Sequence, residues 1–102
     1  MLIVFTTVPS ADDGDEIAEK IVNAGLAACV QVLPQMTSFY IWEGKMQREH
    51  EHLLLIKTLP EKYDELERFI TANHSYSIPE IVAVDADRVS TPYLAWMKDL
   101  LG

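Results

Sequence analysis

Three groups of residues in this chain have the types and spacing that metal or acid–base chemistry needs. His74 stands in the polar run Asn73-His74-Ser75-Tyr76-Ser77, with Glu80 shortly after it. A neutral imidazole is a good ligand for copper or zinc, and a loop can present it to a cleft. Tyr76 and Glu80 could orient that ring or complete a site around it. The competing assignment is a histidine hydrogen-bonded to backbone, fixing the connector in place. Cys29 is the sole cysteine. Its thiolate would suit a soft ion such as Cu(I), although the Ala28-Cys29-Val30 setting is also that of a small buried hydrophobe. His50 and His52 alternate with Glu49 and Glu51. In a strand the two histidines would share one face and the two glutamates the other. Such a His-x-His pair can chelate an ion weakly and pH-dependently; a solvated run of His and Glu is the plainer alternative.

Catalytic patterns are missing. No G-x-S-x-G turn presents a serine, and four glycines leave little scope for a phosphate-cradling loop. The paired Asp12-Asp13 falls at a helix start, where the helix dipole explains it. The residues point to binding and not to an enzyme.

These side chains must be held by a small set of elements. Met1 to Val8 reads as a strand stopped by Pro9. Ser10 can cap the helix that follows, with Ile17 and Ile21 on its apolar stripe and Gly25 as its stop. A second strand, Ala27 to Leu33, is interrupted at Pro34 and resumes from Met36 to Trp42. Glu43-Gly44 supplies a turn, and a third strand runs from about Met46 to Thr58. Pro60 opens a second helix, with Tyr63, Leu66, Phe69 and Ile70 as its stripe. Ile81 to Val84 is the fourth strand, and Thr91-Pro92 caps a final helix. The order is β-α-β-β-α-β plus a helix: an α+β, ferredoxin-like antiparallel sheet with two helices on one face and a long hairpin between the second and third strands.

That hairpin is apolar on both faces. Phe39 and Ile41 alternate with Tyr40 and Trp42, and Leu53-Leu54-Leu55-Ile56 is continuous. Cover for both sides implies a second copy of the chain.

Length and composition narrow the rest. A chain of 102 residues reads as one domain, residues 1–102, with a thin stability margin that oligomerisation would relieve. A net charge of −8 and scattered Lys and Arg argue against nucleic acid and against anionic membranes as partners. A single cysteine suits a reducing compartment, and Leu2-Ile3-Val4-Phe5 is too short for a signal or a span, so the expected location is cytoplasmic.

A family resemblance enters at Ala27-Ala28-Cys29-Val30, Ser38-x-Tyr40-x-Trp42-Glu43-Gly44-Lys45, Lys57-Thr58, His74-x-Tyr76-x-x-Pro79-Glu80-Ile81 and Tyr93-Leu94-x-Trp96. Together, in this order and spacing, these resemble the CutA divalent-cation tolerance family over nearly the whole chain. The resemblance implies a ferredoxin-like subunit in a tight homotrimer, with hairpins pairing between subunits. It also implies a role in tolerance of divalent metals, copper above all, and no enzymatic reaction. The copper set implied for some members is a cysteine near the end of the first strand and a His-His pair before the tyrosine. Here Thr6 and Asn73 occupy two of those places, and only His74 matches. Ser75 and Ser77 stand where the family has proline and an acidic residue. Tyr40, Trp42, Glu43 and Lys57 would lie near subunit interfaces and, with His74, Tyr76 and Glu80, line a shared cleft. A buried Lys57 would want Glu43 or Glu80 as its partner.

Two functions follow as expectations. One is a homotrimer binding Cu(II) or a similar divalent ion weakly, with His74, Cys29 and Glu80 as donors. The other is a trimeric scaffold or small-ligand signalling module with no specific metal site.

Overall fold

Leu2–Val8 forms the first strand, β1, in the computed structural model, which describes all of residues Met1–Gly102. Val4, Thr6 and Val8 turn to one face and are buried. Ser10 caps helix α1 (Ala11–Asn23), its hydroxyl accepting the Asp13 N–H at 3.1 Å. Gly14 brings this helix close to the sheet, where a Cβ would lie 3.1 Å from Val32 and 3.2 Å from Val8.

Strand β2 covers only Cys29–Val32, shorter than the expected Ala27 to Leu33. Its hydrogen bonding extends one residue further at each end, since Ala28 N–H donates to the Lys57 carbonyl and Leu33 N–H to that of Leu53. After Pro34 the chain resumes as β3 (Met36–Trp42), turns at Glu43-Gly44, and returns as the 14-residue β4 (Lys45–Thr58). Both turn residues have positive φ, 51° and 76°, the pattern of a type I′ turn whose twist matches the hairpin.

Pro60 begins a single 3-10 turn, Pro60–Lys62, and not the helix itself; α2 follows at Tyr63–Asn73. Strand β5 is Val82–Asp85 and helix α3 is Thr91–Leu101. Ser90, and not Thr91-Pro92, holds the cap position of α3, which places Pro92 inside the first turn.

The sheet is antiparallel throughout, in the order β2-β4-β1-β5. β3 continues the line of β2 along β4, from Met36↔Glu51 to Trp42↔Lys45. On its other side β4 meets β1 only from His52 onward, where Val8↔His52 is the last pair. Lys45–Glu51 therefore has a neighbour on one side alone.

α1 and α2 cover one face through Ile17, Ile21, Leu66 and Ile70, packed on Val4, Leu54 and Ile56. Burying each such aliphatic side chain stabilises the fold by about 2 kcal/mol. α3 closes a smaller cluster of Ala28, Leu59, Met97 and Leu101. The opposite sheet face is thinly covered, and Val82 and Val84 on it are exposed. So are Phe39, Ile41 and Met46 on the hairpin.

Candidate functional site

The loop from His74 to Glu80 leaves the end of α2 and crosses the end of β1. It is anchored there by His74, whose Nε2 lies 2.6 Å from the Thr7 carbonyl oxygen. A carbonyl only accepts, so Nε2 carries the proton and donates. Nδ1 in turn accepts the Tyr76 N–H at 3.0 Å. The ring is thus a neutral Nε2–H tautomer with both nitrogens engaged. It also stacks obliquely on Tyr76, with centroids 4.8 Å apart.

Tyr76 reaches the other way. Its hydroxyl donates to Oε2 of Glu51 at 2.9 Å. Glu51 is only 7% exposed, although it sits in a run of charged residues. Burial, followed by the Glu51 hydrogen bond and the charges of Glu51, Tyr40 and Glu49, holds the Tyr76 hydroxyl well above the usual tyrosine range. The proton stays on the phenol.

Between this loop and the hairpin lies a groove of ≈ 700 Å³. Tyr40 and Trp42 line it from β3, Glu51 from β4, and Tyr76 and Glu80 from the loop. Ser38, Ser75 and Ser77 also line it, and no Lys, Arg or His of this chain does. A smaller cleft of ≈ 180 Å³ lies behind the loop, where His74 meets Asp13, Glu16 and Lys20 of α1.

The residues singled out in the sequence therefore separate. Tyr40, Trp42, Tyr76 and Glu80 come together in the groove. His74 faces the smaller cleft. Glu43 is exposed at the hairpin turn. Lys57 finds neither Glu43 nor Glu80; it is half-buried with its ammonium 5.7 Å from the Tyr93 ring centroid, a cation–π contact that replaces the expected ion pair. Cys29 pairs with Lys57, whose partner across β4 is Ile3. His74 meets β1 at Thr7, four residues further on, which is about 13 Å along a strand. No three His, Cys, Asp or Glu side chains converge on a point. His50 approaches the Thr37 hydroxyl at 3.5 Å, and His52, on the same face of β4, lies 2.9 Å from the Leu33 carbonyl. Within one chain the side chains do not form a closed copper site.

Glu51 is the groove residue that sequence reasoning missed. The available signal was its parity, since it shares a strand face with Leu53 and Leu55 and not with the histidines.

The fold is that of a small antiparallel α+β protein, with an acidic and aromatic groove between its hairpin and the 74–80 loop. A model of the CutA1 divalent ion tolerance protein family matches residues 2–100, and the chain belongs to that family. It is 38% identical over 100 residues to the divalent-cation tolerance protein CutA of Thermus thermophilus, an alignment covering 98% of this chain and 97% of that one. The solved structure of the Thermus protein superposes with a TM-score of 0.95 over the whole of both chains. It is 41% identical over 98 residues to the chloroplastic protein CutA of Arabidopsis thaliana, covering 96% of this chain; there the chain spans about half, 54%, of the relative's length. The structure of an Archaeoglobus fulgidus CutA, described as periplasmic, superposes with a TM-score of 0.96 at 32% identity, both chains being covered in full. The family is one of divalent-cation tolerance proteins and is not enzymatic. No helix is long and apolar enough to cross a membrane.

Proposed function

We propose that this chain serves divalent-cation tolerance as a homotrimer that takes up Cu(II) or a similar divalent ion weakly. The observation that carries the cation reading is the sign of the groove: Glu51 and Glu80 line it without any basic side chain. Self-association is supported by the one-sided edge of β4 at Lys45–Glu51 and by the exposed Phe39, Ile41 and Met46 beside it. His74 is the proposed first ligand for copper. To bind through Nδ1 it must release the Tyr76 N–H, which is a physical reason for weak binding. Cys29 and Glu80 can add to His74 only through another subunit or a rearranged loop. The proposed location is the cytoplasm, on the strength of the single free thiol.

Calorimetric titration of metal-stripped, tag-free protein with Cu(II), together with its solution mass, tests this. The expected result is a mass of three chains and saturable binding of one ion or fewer per chain. Its Kd should be near micromolar, about −8 kcal/mol, and His74→Ala should abolish it. Copper heats unchanged by that substitution would remove His74 from the site.

One observation favours a second reading, a trimeric scaffold or small-ligand signalling module. Both His74 nitrogens already serve the backbone, which leaves the ring no free lone pair for a metal.

A further inference from the structure

Both strands of the long hairpin change neighbours at one level. Residues 33–35 separate β2 from β3. Level with that break, β4 parts from β1: Val8↔His52 is their last pair, and Met36↔Glu51 is the next rung, toward β3 alone. The register would carry Pro9 opposite Glu51, but proline has no N–H to give, and Ser10 after it already caps α1. Beyond this level residues 36–51 form a two-stranded arm. Its seven β3 residues reach roughly 23 Å at the rise of a strand. Two strands alone twist strongly and are marginally stable, so nothing in the ladder itself fixes where the arm points.

Body and arm are joined instead by an unbroken run of hydrogen bonds outside the sheet. Thr7, buried in β1, accepts Nε2–H of His74 at 2.6 Å. Nδ1 of the same ring accepts the Tyr76 N–H at 3.0 Å, and the Tyr76 hydroxyl donates to Glu51 at 2.9 Å. The stack of the two rings stiffens the run between them. No backbone hydrogen bond ties residues 36–51 to anything outside the hairpin. The Thr37–His50 contact stays within the arm, and the His52–Leu33 contact lies across its base. The Tyr76–Glu51 bond therefore crosses the hinge, and its carboxylate acceptor makes it a strong one.

We propose that the 74–80 loop is a latch across this hinge: His74 locks the loop to β1, and Tyr76 holds the hairpin arm through Glu51. Closed, the latch fixes the direction of the arm relative to the helix-covered sheet. Open, it leaves the arm to swing about residues 33–35 and 51–52. Nδ1 has one lone pair, so whatever claims it takes it from Tyr76 and opens the latch. The arm carries the exposed Phe39, Ile41 and Met46, and its direction decides how these are presented to a second copy. The latch is complete within one chain and requires neither copper at His74 nor the homotrimer.

Amide hydrogen exchange of the full chain in EDTA tests it. Tyr76→Phe keeps the ring and removes only the hydroxyl; it should speed exchange across residues 36–51 about tenfold, the loss of one bond to a charged group. His74→Phe should do the same. The double variant should be no faster than His74→Phe alone, because the two residues act in series. Ser10→Ala is the control, since it weakens the whole fold through the cap of α1. It should speed the core amides of Val4 and Ile56 and leave the arm unchanged. Arm amides that ignore Tyr76→Phe, or that follow Ser10→Ala as closely as the core does, would overturn the latch. Additive effects of His74→Phe and Tyr76→Phe would do so too, because the two would then hold the arm by separate routes. Ile41→Lys separates the latch from assembly. Arm exchange that rises in this variant but not in Tyr76→Phe assigns the order of the arm to association, which ends the inference and leaves the homotrimer standing.

Discussion

Thr6 is fully buried on the helix-covered face of β1, and its hydroxyl has no hydrogen-bond partner. An unsatisfied buried hydroxyl costs about 1–3 kcal/mol relative to an apolar group of the same shape. Thr6→Val should therefore raise the unfolding free energy by about 1 kcal/mol, measured by urea denaturation. The hydroxyl of Tyr76 behaves in the opposite sense, because it satisfies a carboxylate. Burial and the Glu51 contact raise its folded-state pKa above the usual value of about 10. A raised pKa means that its contribution is fully present below about pH 10 and is lost as pH climbs toward the folded value. Absorbance at 295 nm should show Tyr76 and Tyr63 ionising above the usual tyrosine range, since Tyr63 is also raised, by burial first and by Glu67 next. Tyr76→Phe should flatten the stability loss between pH 10 and 12 while lowering stability at pH 7, where it strips Glu51 of its only donor.

At the level of elements, the punctuation residues made the fold readable. Pro9, Gly25, Pro34, Glu43-Gly44 and Pro60 each sit at a boundary for a backbone reason, so the order of strands and helices followed from local chemistry. The site was only half legible for the converse reason. The alternating residues of β3 announce a hairpin apolar on both faces. The contacts of His74 depend on where a loop lands against β1, 67 residues earlier in the chain. The burial of Glu51 depends on the register of β4 with its neighbours. Parity gives the face of Glu51 but not its burial, and no local pattern gives the contacts of His74. The hairpin turn gives an element-scale prediction. Glu43 has a φ of 51°, which an L-residue without a short polar side chain adopts at a cost, whereas Asn suits it. Glu43→Asn should stabilise the protein by about 0.5–1 kcal/mol, read as a higher thermal midpoint. Ser10→Ala, which removes the cap of α1, should cost about 1 kcal/mol.

For the whole molecule, the long axis of 45 Å against 25 and 23 Å reflects the hairpin projecting from the helix-covered sheet. So much exposed apolar surface on an extended arm fits association better than a lone chain. Ile41→Lys places a charge on the exposed outer face of that arm, where Ile41 is 61% exposed. Sedimentation should show the proposed trimer weakened by this substitution. A fully assembled trimer would move the interface elsewhere.

The position of β1 in the sheet bears on how the protein is made. β1 lies between β4 and β5, and its pairs run to Leu53–Thr58 and to Val82–Asp85. Both partners leave the ribosome long after it. At synthesis rates of roughly 5–20 residues per second, Leu2-Ile3-Val4-Phe5 waits several seconds with no strand to join. During that interval the nascent chain carries a bare, sticky segment whose only near neighbour is α1. Folding of the sheet must begin when β4 emerges and closes the long loop back to β1, a step that is slow because the paired residues are distant in sequence. Nascent-chain chaperones should therefore engage this protein early and release it only after β4 has appeared.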